Sequence, residues 1–190
     1  SALSAAAYHL LAQSKNVLVI DADFESPGVS ATLLADNLRP DYGLLDWFAL
    51  HALDQKLAAE LIQTRRVVER SGLDQLVSGE GTIWVAPSFG RQTQDYVGKL
   101  GRLYQDVGDQ GYVQRFKKML SNLEAELSPD VVLIDSRAGV DDTANSSPTV
   151  RRASSNRRRS ANRLVRVTAL INQPCTEIKC IRKKATIIRH

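Results

Sequence analysis

Two stretches of this chain share one grammar, and together they restrict the fold to few choices. Residues 16–28 read N-V-L-V-I-D-A-D-F-E-S-P-G, and residues 130–139 read D-V-V-L-I-D-S-R-A-G. Each is an apolar, β-branched run that ends on aspartate and passes into turn-compatible residues. A short continuous apolar run of this kind predicts a strand buried on both faces, as in a parallel sheet covered by helices. Open α/β sheets bind ligands at the carboxyl ends of their strands. Asp21, Asp23 and Asp135 are therefore the first candidate site residues. For a single strand, the plainer reading is an acid that ends the strand and opens a turn. Two such strands, each preceded by a helical pattern, favour a ligand site.

The segments between them alternate helix and strand. Leu3, Ala6 and Leu10, with Ala7 and Leu11, stand at helical spacing before the first strand. A short helix is expected after Gly28, and a buried one in L-L-D-W-F-A-L-H-A-L at 44–53. Asp54 is placed to cap the next helix, which carries Leu57 and Leu61. Residues 82–87, T-I-W-V-A-P, predict a third strand ended by proline. A helix through Tyr96, Leu100 and Leu103 is weakened by Gly98 and Gly101. Val113, Phe116, Leu120, Leu123 and Leu127 form the clearest amphipathic helix, ended by Ser128-Pro129. Strands separated by helical patterns imply a three-layer α/β domain with a parallel sheet.

Charge divides the chain. Residues 1–150 hold 13 Lys+Arg and 20 Asp+Glu, a net of −7, whereas residues 151–190 hold 12 basic residues and the single acid Glu177, a net of +11. Such asymmetry marks a boundary. The expected organisation is a domain over 1–146 and a basic tail over 147–190, disordered or read out of frame. Within the tail only 164–171, L-V-R-V-T-A-L-I, has strand character, and Arg166 restricts it to an edge. Two cysteines exclude a disulfide scaffold and suit a reducing, cytoplasmic setting. No apolar run reaches the roughly 18 residues of a membrane span. The first residues lack the basic region of a signal peptide.

Four pieces in order resemble one family. V-L-V-I-D-A-D-F-E-S-P-G at 17–28 is similar to the segment after the first helix of ParA/MinD-like P-loop ATPases, the deviant Walker A group. V-V-L-I-D-S-R-A-G at 131–139 resembles their Walker B strand and second switch. D-Y-G-L-L-D-W-F at 41–48 and T-I-W-V-A-P-S-F-G at 82–90 resemble the sub-branch whose first motif reads E-[SA]-P-G. The resemblance covers about residues 1–142 and implies a P-loop NTPase sheet, ATP and Mg²⁺ as ligands, and a homodimer in the parent family. Phosphoryl transfer there needs a metal ion, backbone amides around the phosphates, and a group that orients water. By resemblance, Asp135 holds Mg²⁺ through a water, Asp23 positions the hydrolytic water, and Asp21 stands near the metal. Gly139 lies where the second switch meets the γ-phosphate, and Pro27 and Gly28 shape the first switch. Ser1 is either the last hydroxyl of the phosphate loop or the residue beyond it.

The departures matter equally. Gly28 is the first glycine of the sequence, and G-x-x-x-x-G-K-[ST] occurs nowhere. A fragment lacking the phosphate loop and the strand before it is expected, and with it a chain that does not hydrolyse ATP. Two other classes compete. One is a non-enzymatic α/β module whose basic arm, with Arg157, Arg158 and Arg159, binds nucleic acid through its phosphates. The absence of aromatic residues from 147–190 excludes a stacking platform. The other is a related P-loop kinase, which lacks its tyrosine-rich C-terminal cluster here. Cys175, Cys180 and His190 fall short of the four ligands of a structural zinc site. His9 and His51 read as structural, and Ser136 stands in no nucleophile arrangement with either.

Overall fold

The period-two alternation of the buried strands sets the architecture. In a computed structural model, residues 2–72, 80–107, 110–136 and 165–168 are described. Helix α1 (Ala2–Leu11) leads into β1 (Asn16–Asp21). Then come α2 (Val29–Leu33), a short 3₁₀ turn (Asp36–Leu38), α3 (Leu44–Leu53), α4 (Gln55–Gln63), β2 (Glu69–Arg70) and β3 (Thr82–Ala86). The series closes with α5 (Tyr96–Val107), α6 (Gln110–Leu127), β4 (Val131–Asp135) and β5 (Val165–Thr168). The sheet order is β2-β3-β1-β4-β5. Strand β1 pairs in parallel with both β3 and β4, and β2 runs antiparallel to β3.

Each central strand divides its side chains between two cores. Leu18, Ile20, Val132 and Ile134 pack with Trp47, Phe48, Phe116 and Leu123 of α3 and α6. Val17, Val19, Val131 and Leu133 pack with Leu3, Ala7 and Leu11 of α1 and with Val29 and Leu33 of α2. Helices therefore cover both faces of a mixed, mostly parallel sheet. Burying each large aliphatic side chain contributes about 1.5–3 kcal/mol, so the two-sided burial of β1 and β4 anchors the centre. The apolar strands and the helices anticipated from periodicity form at their expected places.

The two aspartate-ended strands are parallel and direct neighbours, with Asp21 opposite Asp135 in register, about 4.8 Å between strands. Two details differ from the sequence expectation. The antiparallel β2 has no periodic signal, because two residues are too few to show one. Helix α5 runs unbroken through Gly98 and Gly101. Gly98 has a use there. Asp95, at φ 48°, turns back so that its Oδ1 accepts from the Gly98 amide at 3.2 Å. A Cβ at Gly98 would lie 2.3 Å from Asp95 Oδ2.

The two other motifs singled out in the sequence interlock. The Leu44 and Leu45 amides donate to the Pro87 and Ser88 carbonyls at 2.9 and 3.1 Å. The Arg91 and Gln92 amides donate back to Pro40 and Asp41 at 2.9 and 2.7 Å. Glycine is required on both sides of this contact. A Cβ on Gly43 would meet Phe89 Cα at 2.2 Å, and one on Gly90 the Asp41 carbonyl carbon at 2.5 Å. Strand β5 pairs in parallel with β4 at the sheet edge, with Arg166 in register with Val132. Among the described residues, no helix is long and apolar enough to cross a membrane.

Candidate functional site

The chain leaves β1 for β3 on one side and later returns to β4 on the other. This reversal makes the β1–β4 boundary the topological switch point, where open α/β sheets form their ligand crevice. The carboxyl ends of both strands carry aspartate in register. The pairing extends past Asp21, since the Ala22 amide donates to the Asp135 carbonyl at 2.8 Å.

The two carboxylates have different surroundings. Asp21 is 0% exposed. Its Oδ2 accepts from the Ser30 amide at 3.0 Å and from Ser30 Oγ at 2.6 Å. Its Oδ1 is buried and has no protein partner. Burial raises the Asp21 pKa, against the lowering effect of the Ser30 bonds. Asp135 is half-buried, and its pKa is pushed up to about 6, first by burial and then by Asp21 and Asp23. Asp23 lies in the loop after β1, where its Oδ1 accepts from the Ser26 amide at 3.1 Å. The three acids thus share one electrostatic site, as groups tuned for function commonly do.

Side chains from β3 and α5 hold this loop. Ser88 Oγ donates to the Asp21 carbonyl at 2.7 Å and reaches the Asp23 carbonyl at 3.5 Å. Tyr96 donates to the Phe24 carbonyl, and Tyr104 to Glu25 Oε1 at 2.6 Å. Burial, with Asp21, Asp23 and Asp46 nearby, pushes the Tyr96 phenol up to about 12, so it remains a donor. Behind them, Asp46 accepts from the Gly43 amide, Thr93 Oγ1 and Lys99 Nζ, which ties α3 to α5. Sequence reasoning missed Ser30, Ser88, Tyr96 and Asp46. Only the P-S-F-G stretch hinted at Ser88, because long-range partners leave no period.

The other expected residues divide. Pro27 and Gly28 end the loop and begin α2, but Gly28 has φ −128° and an added Cβ would meet only the Ser26 carbonyl oxygen at 3.7 Å. Nothing in this backbone requires glycine there. Ser1, Gly139, Arg157, Arg158, Arg159, Cys175, Cys180 and His190 lie outside the described residues. His9 is exposed and bonded to Gln13, while His51 stacks on Trp47 at 4.6 Å. Neither approaches Ser136 in any described contact. Among the described residues, no three His, Cys, Asp or Glu side chains form a ready metal cage. The cluster concentrates negative charge: Asp21 has a buried oxygen without a protein partner, and burial followed by the neighbouring acids raises Asp135. Neither a family model, nor a curated protein, nor a solved structure matches the chain.

Proposed function

We propose that residues 1–146 are part of a ParA/MinD-like Mg-ATP-binding domain of P-loop NTPase type, which by itself does not hydrolyse ATP. The observation that carries this reading is the in-register pairing of Asp21 and Asp135 at the switch point. The interlocked 41–48 and 82–90 motifs support it, because Ser88 links them to the carbonyls of the aspartate loop.

Each residue has a role consistent with its place. Asp135, half-buried and held near neutrality, accepts through a water any cation that relieves its repulsion. Mg²⁺, when bound, would offset the charge of the nucleotide phosphates. Asp21 anchors the start of α2 through Ser30 and keeps its free oxygen at the cluster. Asp23, on a loop pinned by Ser88 and Tyr96, is placed to orient a water for attack. The residues that would cradle phosphate are another matter. No G-x-x-x-x-G-K-[ST] occurs in this sequence, and residues 1–190 alone do not supply the amides and lysine that such a loop sets around β- and γ-phosphates.

The test compares two proteins by calorimetry with Mg-ATP. The chain as it stands is expected to bind weakly or not at all. A version extended before Ser1 by a strand and a K-G-G-x-G-[KR]-[ST] loop is expected to bind in the micromolar range. In that version Asp23→Ala suppresses turnover more than affinity, and Asp135→Ala removes the Mg²⁺ dependence. Micromolar binding by the unextended chain, or indifference to both substitutions, overturns the reading.

A further inference from the structure

Between α3, α5 and α6 lies a groove of about 250 Å³. Its floor is apolar, with Phe48 and Leu103, and Leu53 forms an exposed lip. Lys99, Arg102 and Arg115 stand around it, and among the described residues no acid lines it. We propose that this groove between α3, α5 and α6 docks an acidic peptide segment of another protein, which inserts one apolar anchor side chain.

Three features select that occupant. Leu53, 82% exposed, rims a depression floored by the buried Phe48 and Leu103, so an apolar side chain seated there gains contact with all three. The volume matches one large side chain and is below that of pockets enclosing whole small molecules. Among the described residues, the charge around the groove is of one sign. Lys99 already serves Asp46 at 2.7 Å, but Arg102 is 68% exposed and its ion pair with Asp95 is long, at 3.9 Å. A surface pair at that distance is worth little, so a partner carboxylate displaces it readily and gains a bidentate guanidinium contact. Helix α5 also carries Tyr96 and Tyr104, which hold the loop after β1. A partner seated on α5 therefore bears on the aspartate loop through one rigid element. The docking surface itself does not depend on the nucleotide reading.

The test pans random dodecapeptides displayed on phage against the full chain, then measures selected synthetic peptides by fluorescence anisotropy. Selected peptides are expected to set Asp or Glu beside Leu, Phe or Trp, and to bind more weakly as salt is raised. Arg102→Glu is expected to weaken them roughly tenfold, which is about 1.4 kcal/mol, and Leu53→Ser severalfold. Both side chains are exposed, so the thermal midpoints of these variants stay near that of the parent. Peptides without acidic enrichment, or binding indifferent to both variants, overturn the proposal. So does binding of decanoate but of no peptide, which marks a small-anion site. Concentration-dependent dimerisation abolished by Leu53→Ser also overturns it, as a self-association surface.

Discussion

Strands β1 and β4 end alike in sequence and differ in what their aspartates do. Asp21 is fully buried and bonded twice to Ser30, whereas Asp135 is half-buried and raised to about 6 by burial and by its acidic neighbours. Both carboxylates carry a desolvation cost, but Asp21 also builds local structure through Ser30. The difference arises from the elements that follow. After β1 the chain turns back to place the first turn of α2 against Asp21. The contrast shows how to separate an acid that holds the fold from one poised for a ligand. The first loses stability when removed, and the second gains it.

Removing Asp21 is the strongest challenge to this contrast. Asp21→Ala leaves the Ser30 amide and hydroxyl without their acceptor in a buried place. The expected loss is about 2 kcal/mol, read from urea unfolding. Asp21→Asn keeps an acceptor for Ser30 and should lose less. Equal losses in the two variants would mean that the Ser30 bonds are not what Asp21 contributes.

The pH dependence of Asp135 sharpens the other half. Its folded pKa, about 6, lies above the ordinary 3.8, so between these values the folded state binds the extra proton. The stability it contributes is full below the lower value and is lost as pH rises through the upper one. Asp135→Asn should flatten that slope and stabilise the protein at neutral pH by about 1 kcal/mol, after discounting for solvent screening. Added Mg²⁺ should recover part of the same stability in the parent and none in the variant. A variant less stable than the parent at neutral pH would make Asp135 a structural acid like Asp21.

The smallest expected effect concerns the loop shared by both acids. Tyr96→Phe removes the bond to the Phe24 carbonyl and should cost about 0.5–1 kcal/mol. Hydrogen exchange should show faster opening in residues 22–28 and little change in β1. Uniform acceleration of both segments would place Tyr96 in the global core rather than at the loop.

The two strand–aspartate segments, the helix positions and the parallel character of the sheet were legible because each rests on a local period. Val17, Val19, Val131 and Leu133 alternate with Leu18, Ile20, Val132 and Ile134, and burial on both faces follows from that run of apolar residues. The adjacency of β1 and β4 was not legible, because strand order depends on how crossovers pack. The site was half legible. Asp21, Asp23 and Asp135 announced themselves by ending strands, whereas Ser88 lies 67 residues from the carbonyl it bonds and Tyr96 72 residues from its own partner.

By itself, the sequence determined where the central strands and the main helices form and that acids end two of those strands, since propensity and periodicity act over a few neighbouring residues. Only the tertiary structure decided that Asp21 and Asp135 stand side by side, that Ser30 bonds the one while burial and acidic neighbours raise the other, and that α5 both holds the aspartate loop through Tyr96 and Tyr104 and lines a groove with Lys99, Arg102 and Leu103. Those outcomes depend on burial and on charges brought together from distant parts of the chain. The electrostatic cost of a carboxylate is set by everything packed around it, and no local stretch of sequence contains that information.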